Sequence, residues 1–316
     1  GQQQRSILVA LLAGNNVTVR ADWHPDFTRD GKATTQKMVE GLRTSILASG
    51  NQEKTLLVIA DGIQGDGEQL CKHLPKGEYT LGGCLTGSNV RQARTFQIGG
   101  TRAGDSGLAS ALLFGNLKTG IGVSHGWQPV GKYFEITRVE GPWVRTLDRL
   151  PASETYARLF GHTSHEWAFP PLNELVRLYP LGLENENLPL QIRSPLQVEV
   201  DGSFRMSSPV REGSTGHLMI GSTASCVEAV QRASQQALQA LGSARPVLAI
   251  VFADIAWKIL FETQPGIETA AISAVLGMDI PIAGGYTVGQ IFSSNSSNTP
   301  ELLNQHIEII VFGATV

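Results

Sequence analysis

Ser106 lies in Gly104-Asp105-Ser106-Gly107, the residue order around a serine-protease nucleophile. A hydrolase would need a histidine within hydrogen-bond reach of that serine, and Leu108 stands where the motif carries another glycine. The stretch reads as a loop. Asp61-Gly62-Ile63-Gln64-Gly65-Asp66-Gly67 has the outline of a calcium loop, but Ile63 and Gly65 fall where oxygen donors are required. It reads as a strand-to-helix turn. His162 and His165, followed by Glu166, offer two imidazoles without cysteine partners or a clear third ligand, so zinc has weak support. His125 precedes Gly126-Trp127 in a stretch tight enough to fix its ring, and a neutral imidazole there suits a ligand contact or haem iron. A hydrogen-bonded histidine at a strand end is the plainer reading. Neither a phosphate loop with its lysine nor a paired-carboxylate signature is present, so spacing alone declares no enzyme.

The most informative stretch is Pro281-Ile282-Ala283-Gly284-Gly285-Tyr286-Thr287-Val288-Gly289-Gln290-Ile291. An apolar entry meets a glycine pair, and a third glycine follows. Backbone there is either approached closely or turned where only glycine turns. Leu81-Gly82-Gly83-Cys84-Leu85-Thr86-Gly87-Ser88-Asn89 repeats the pattern far upstream. Two strand ends that each needed glycine explain this simply; the sharper reading is two related halves meeting at a shared cleft.

The 316 residues allow one large domain or two ordinary ones. A net charge of −3 with no basic run argues against nucleic acid and anionic membrane surfaces. No apolar run reaches the length of a membrane span. Three cysteines, Cys71, Cys84 and Cys226, form no disulfide framework and fit a reducing, cytoplasmic setting.

The elements that must position these residues follow from pattern. Ile7–Ala13 and Val17–Arg20 read as an opening hairpin. A helix over Thr34–Ala48 has Met38, Leu42 and Ile46 on one stripe. Thr55–Ala60 and Glu78–Gly83 read as strands around a short helix, Glu68–Leu74. Further strands are expected at Thr95–Ile98, Leu108–Phe114 and Thr119–Ser124, then a rigid turn over Ser124–Gly131. A hairpin of Tyr133–Val139 and Trp143–Leu147 precedes a helix over Pro151–Phe160. Gly161 to Pro195 is rich in Pro, Gly and Asn. The expected division is therefore residues 1–165, a linker at 166–195, and residues 196–316. Past the linker, Asp201-Gly202 turns a hairpin. His217–Ile220 is a strand, and Ser225 and Glu228 have capping-box spacing before a long helix. Pro246–Ala253 is a strand, Pro265–Leu276 a helix, Ser293–Pro300 a polar loop and His306–Phe312 a last strand. Interleaved elements with several hairpins predict an α+β fold: mixed or antiparallel sheets, helices on outer faces, two subdomains of similar size.

Taken in order, these residues resemble the FIST sensory domain in its N-terminal and C-terminal parts. The first part runs from Leu56–Ala60 with Asp61-Gly62, through Leu81-Gly82-Gly83, to Val123-Ser124-His125-Gly126-Trp127-Gln128-Pro129-Val130-Gly131. It continues through Ile136-Thr137, Leu147-Asp148 and Pro151–Tyr156. The second covers Pro246–Phe252 and the glycine-rich stretch at 281–291. The family usually has Gly-Phe-Tyr-Thr and Gly-Glu-Ile there; this chain has Gly285 for the aromatic and Gln290 for the acid. Gly285 is expected to open space beside Tyr286. Opening strands of the family are expected before Ile7, which makes the start of the N-terminal part incomplete.

The resemblance implies a cytoplasmic sensor without catalysis, coupled to an output such as a histidine kinase or a cyclic-di-GMP enzyme. Its ligand is an amino acid or related metabolite in a cleft between two subdomains. The expected lining is Gly83, His125, Trp127, Gly284, Gly285, Tyr286, Thr287 and Gln290. No resident cofactor or metal is expected under this reading. Two alternatives stand beside it. One is a haem-based nitric-oxide sensor with His125 axial and His162 or His165 as second choice. The other is a hydrolase using Ser106 or Cys84.

Overall fold

The computed structural model describes residues 8–14, 16–77, 79–87, 94–185, 188–293 and 299–314. Strands and helices follow in the order β1 (Val17–His24), α1 (Gly31–Ala48), β2 (Lys54–Asp61), α2 (Gly67–His73), β3 (Thr80–Thr86), β4 (Phe96–Gly99), β5 (Arg102–Asp105), β6 (Leu108–Gly115) and β7 (Leu117–Ser124). Then come β8 (Trp127–Glu140), β9 (Trp143–Leu147), β10 (Leu150–Pro151), α3 (Ala152–Phe160), α4 (Leu172–Leu175), β11 (Leu181–Asn185), β12 (Leu188–Arg193), β13 (Pro195–Val198), β14 (Phe204–Met206) and β15 (Thr215–Gly221). The chain closes with α5 (Thr223–Leu241), β16 (Arg245–Asp254), α6 (Ile255–Leu260), α7 (Ile267–Leu276), β17 (Ile282–Thr287), β18 (Gly289–Ser293), β19 (Pro300–Leu303) and β20 (Ile307–Ala314). This is the expected α+β class.

Two compact units result, and they are not contiguous halves of the chain. The first joins residues 1–125 to 227–316; the second is the stretch 126–226 between them. The second unit is an antiparallel sheet in the order β12-β11-β15-β8-β9-β14-β13. Its core gathers Tyr156, Trp167, Tyr179 and Phe204 edge to face. The stretch 166–195 is built into that core, with Trp167 and Val176 buried and β11 paired to β15.

The first unit is internally duplicated. One sheet contains the run β1-β6-β2-β3, and the other is β7-β20-β16-β17. In each, the central strand pairs parallel with one neighbour and antiparallel with the other. Val58-Ile59-Ala60-Asp61 ends β2 and Val251-Phe252-Ala253-Asp254 ends β16. Val58 stands opposite Gly83, and Val251 opposite Gly284. A helix follows the first strand of each half and another precedes the parallel partner. The second unit is inserted in sequence between β7 and α5.

The helices cover outer faces, and the two sheets pack on each other. Met38 and Leu42 of α1 bury against Leu56, Val58 and Ala60 of β2. On the far side α5 lies hard on β7: a Cβ on Gly120 would come within 2.0 Å of the Ala237 carbonyl, and one on Gly122 within 1.9 Å of Ala233. Glycine there is the condition for helix and strand to touch. Between the sheets sit Leu113, Ile121, Leu248, Ile310 and Phe312, and Thr55 donates to Thr119 at 2.7 Å across the gap.

Several sequence expectations change at local detail. Val17–His24 is a strand, but its partner is β6 rather than the apolar segment before it, which is irregular over 8–14. Ile7 and Ser88-Asn89 lie outside the described residues, as do residues 294–298 of the polar loop. The expected turn over Ser124–Gly131 narrows to His125 and Gly126: Ser124 ends β7, and Trp127 begins the long strand β8. Helix α5 begins earlier than Ser225: the hydroxyls of Ser222 and Ser225 each accept the other's backbone N–H, at 3.1 and 3.0 Å. Helix α6 was hidden because Ile255–Leu260 continues the apolar run of β16. Asp254 ends that strand and caps the helix, accepting from the Ala256 N–H at 3.0 Å.

Candidate functional site

The two glycine-rich stretches come together in the first unit. The chain leaves β17 in one sheet, passes Val288, and enters β18 in the other, where it pairs antiparallel with β3. Gln290 stands opposite Cys84 and Ile291 opposite Gly83. Close approach explains the glycines. A Cβ on Gly83 would lie 2.0 Å from the Val58 carbonyl oxygen; on Gly284, 1.9 Å from that of Val251. Gly284 also has φ of +153°, a region glycine favours. Gly285 differs: it is exposed, and a Cβ there would meet nothing within 4 Å. The space that the missing aromatic was expected to leave is there.

Polar groups cluster in the interior beside this junction. Gln290 has 0% exposure; its Nε2 donates to the Thr287 hydroxyl at 2.8 Å, and its Oε1 accepts from the His306 N–H at 3.3 Å. The Thr287 hydroxyl donates in turn to the Ala253 carbonyl at 3.3 Å. Position 290 must therefore supply a donor to Thr287, which an amide does and a carboxylate does not. Asn304 donates to the Val288 carbonyl at 3.3 Å.

Glu308 of β20 points between the sheets with 0% exposure and accepts from the Gly83 N–H at 3.3 Å. A Cβ on Gly82 would stand 2.9 Å from its Oε1, so glycine makes room for the carboxyl. Burial raises Glu308 well above the usual carboxylate range, against the pull of that one N–H. Cys84 is also raised, by burial first and by Glu308 second. The thiol and the acid are both held neutral, the opposite of an activated thiolate. Sequence reasoning missed Glu308. Its only signal was one acid inside the apolar run Ile307–Phe312.

The other predicted residues sit as follows. Tyr286 is half-buried, and its hydroxyl donates to Glu268 in the first turn of α7; burial, then Glu268, raises its pKa. His125 belongs to the first unit, with its ring edge-on to His306 at 4.8 Å and its carbonyl accepting from Arg232 at 3.0 Å. Trp127 is buried in the second unit, stacked over the backbone of Gly221. His162 and His165 are exposed there, beside Trp167 and Phe169. Ser106 ends the β4–β5 hairpin with φ of +57°, its N–H donating to the Thr95 carbonyl at 3.1 Å. The Asp61 carboxylate accepts from the backbone N–H groups of Ile63, Gln64 and Gly65, as a turn requires. Among the described residues no cluster of three or more metal-ligating side chains occurs.

Among the described residues, three cavities of the first unit bear on the site. One, about 500 Å³, is lined by the segment 8–14 and the feet of β7, β16 and β17, with Asn116 the single polar side chain of its lining. The second, about 330 Å³, lies between the halves. Thr80 of β3, Thr119 and Ile121 of β7, Gln236, Gln239 and Ala240 of α5, and Phe292 and Ser293 of β18 line it. It offers hydroxyls and amides and no charged side chain. The third, about 170 Å³, lies between β1 and α1 beside Asp22 and His24. His24 is lowered by burial, with Asp22 at 3.9 Å opposing that shift. None of the predicted site residues lines any of the three. His125, His162 and His165, the histidines expected to hold haem iron under the alternative reading, line none of these three cavities.

The first unit is a duplicated core of two packed sheets with helices outside and a neutral polar cavity between its halves. The chain belongs to the FIST family: the FIST N domain matches residues 1–149 and the FIST C domain residues 152–293. FIST domains are sensory domains of signal transduction. No curated protein matches the chain. The boundary between the two matches falls inside the second compact unit, and the C-terminal match stops before Glu308. No helix among the described residues is long and apolar enough to cross a membrane.

Proposed function

We propose that this chain senses a small, net-neutral polar metabolite of amino-acid size, held in the cavity of about 330 Å³ between its two halves. One observation carries the reading: the cavity is lined by β3 and β18 of one sheet, by β7 of the other and by α5, with hydroxyls and amides as its polar groups. Gln236, Gln239, Thr80, Thr119 and Ser293 supply donors and acceptors for a zwitterion or an amide. With no charged side chain in the lining, a ligand of net charge would be desolvated without a counter-ion. Occupancy biases how the halves pack, and an output partner such as a histidine kinase or a cyclic-di-GMP enzyme reads that bias. The chain works in the cytoplasm, where its three buried cysteine thiols stay reduced.

The test is thermal stabilisation by a panel of amino acids. Saturation at a hundred times Kd adds about 2.7 kcal/mol to the folded state. Ala240→Trp fills the cavity and removes the shift. Tyr286→Ala, outside the lining, leaves it in place; loss of the shift in Tyr286→Ala alone moves the site to β17.

A further inference from the structure

We propose that β17 is a pairing edge through which two copies of this chain join, antiparallel, about a twofold axis. The duplication makes the case. In the first half, the outer edge of β3 is covered by β18, antiparallel over four residue pairs. In the second half, β17 is the equivalent strand. It pairs with β16 over six residues and has no neighbour on its other side among the described residues. The hairpin that would cover it by symmetry, β4–β5, forms its own two-stranded sheet.

The edge is also unprotected. Outer strands ordinarily carry charges or proline that block pairing with another chain. Here β1 has Arg20 and Asp22, β7 has Lys118, β19 has Pro300 and Glu301, and β13 has Pro195. Ile282–Thr287 has neither charge nor proline, and its middle is the exposed pair Gly284-Gly285. Two such strands meet without like charges opposed and without side chains crowding the axis. A twofold contact between identical strands is self-complementary and closes at two copies. The four-stranded sheets of the two copies then form one continuous sheet. This goes beyond the ligand site, whose lining contains no residue of β17.

Size-exclusion chromatography with light scattering on the full chain tests it, together with hydrogen exchange across β17. The wild type is expected at twice the monomer mass, with the amides of residues 283–286 protected and losing protection on dilution. Gly285→Lys puts a charge into open space on each copy; it is expected to fold, run as a monomer, and melt at a temperature that, unlike the wild type's, does not rise with protein concentration. A monomeric wild type overturns the proposal. So does a Gly285→Lys dimer, or a wild-type dimer whose β17 amides exchange freely. Exchange on the wild type decides alone if Gly285→Lys fails to fold.

Discussion

The two halves of the first unit share a strand order and differ in what they place between the sheets. Opposite Ile59 the first half has Ala109; opposite Phe252 the second has Glu308. A methyl group needs only space, whereas a carboxyl needs space and a donor. The first half supplies both, through the bare Cα of Gly82 and the N–H of Gly83. The glycine clusters thus differ in role as well as resembling each other in spacing. That of β3 admits a neutral acid from the facing sheet; that of β17 approaches its own neighbour at Gly284 and lies open at Gly285.

The sharpest break of this comparison is at the close approaches. Gly83→Ala and Gly284→Ala each drive a methyl into a backbone carbonyl, and each is expected to lose more than about 4 kcal/mol. Gly285→Ala, one residue along, is expected to change stability by less than about 0.5 kcal/mol. Urea denaturation of the three variants separates these outcomes; equal losses at 284 and 285 would refute the distinction.

Glu308 gives the next effect. Its folded-state pKa is raised, so the folded chain keeps a proton that the unfolded chain has released. Its stabilising contribution is therefore complete below the ordinary value of 4.5 and is lost as pH rises toward the folded value. The loss is about 1.4 kcal/mol per pH unit across that window. Glu308→Gln keeps an acceptor for Gly83 and removes the titration. Melting temperatures at acid and neutral pH should diverge in the wild type and converge in the variant, which becomes the more stable at neutral pH. An unchanged pH slope would show that Glu308 is not held neutral.

The smallest effect is at the family's usual acid. Gln290→Glu deprives the Thr287 hydroxyl of its donor and is expected to destabilise by about 1–2 kcal/mol at neutral pH. Equal or greater stability of the variant would show that the amide donor is dispensable.

Much of this core was legible from residue pattern, because buried strands such as Thr55–Ala60 and amphipathic α1 announce themselves over consecutive residues. Partnership was less legible. The pairing of Val17–His24 with β6 depends on residues far along the chain, and an apolar run such as Ile307–Phe312 does not say which strand it joins. The glycine pairs were visible, and so was the suspicion of related halves; the shared Val-x-Ala-Asp ending shows its meaning once the registers are known. The cavity residues Gln236 and Gln239 were hidden, since glutamines on an exposed helix face look like ordinary solvated surface. Gln290 and Thr287 looked like ligand contacts because polar residues beside glycine usually face something. Their hydrogen bonds run to each other and to the backbone of Ala253 and His306.

The most direct measurement is a thermal-shift comparison of wild type and Ala240→Trp across the amino-acid panel. The account predicts that a net-neutral member stabilises the wild type and leaves Ala240→Trp unmoved. Equal stabilisation of both proteins, or a wild type that responds to no member of the panel, would contradict it.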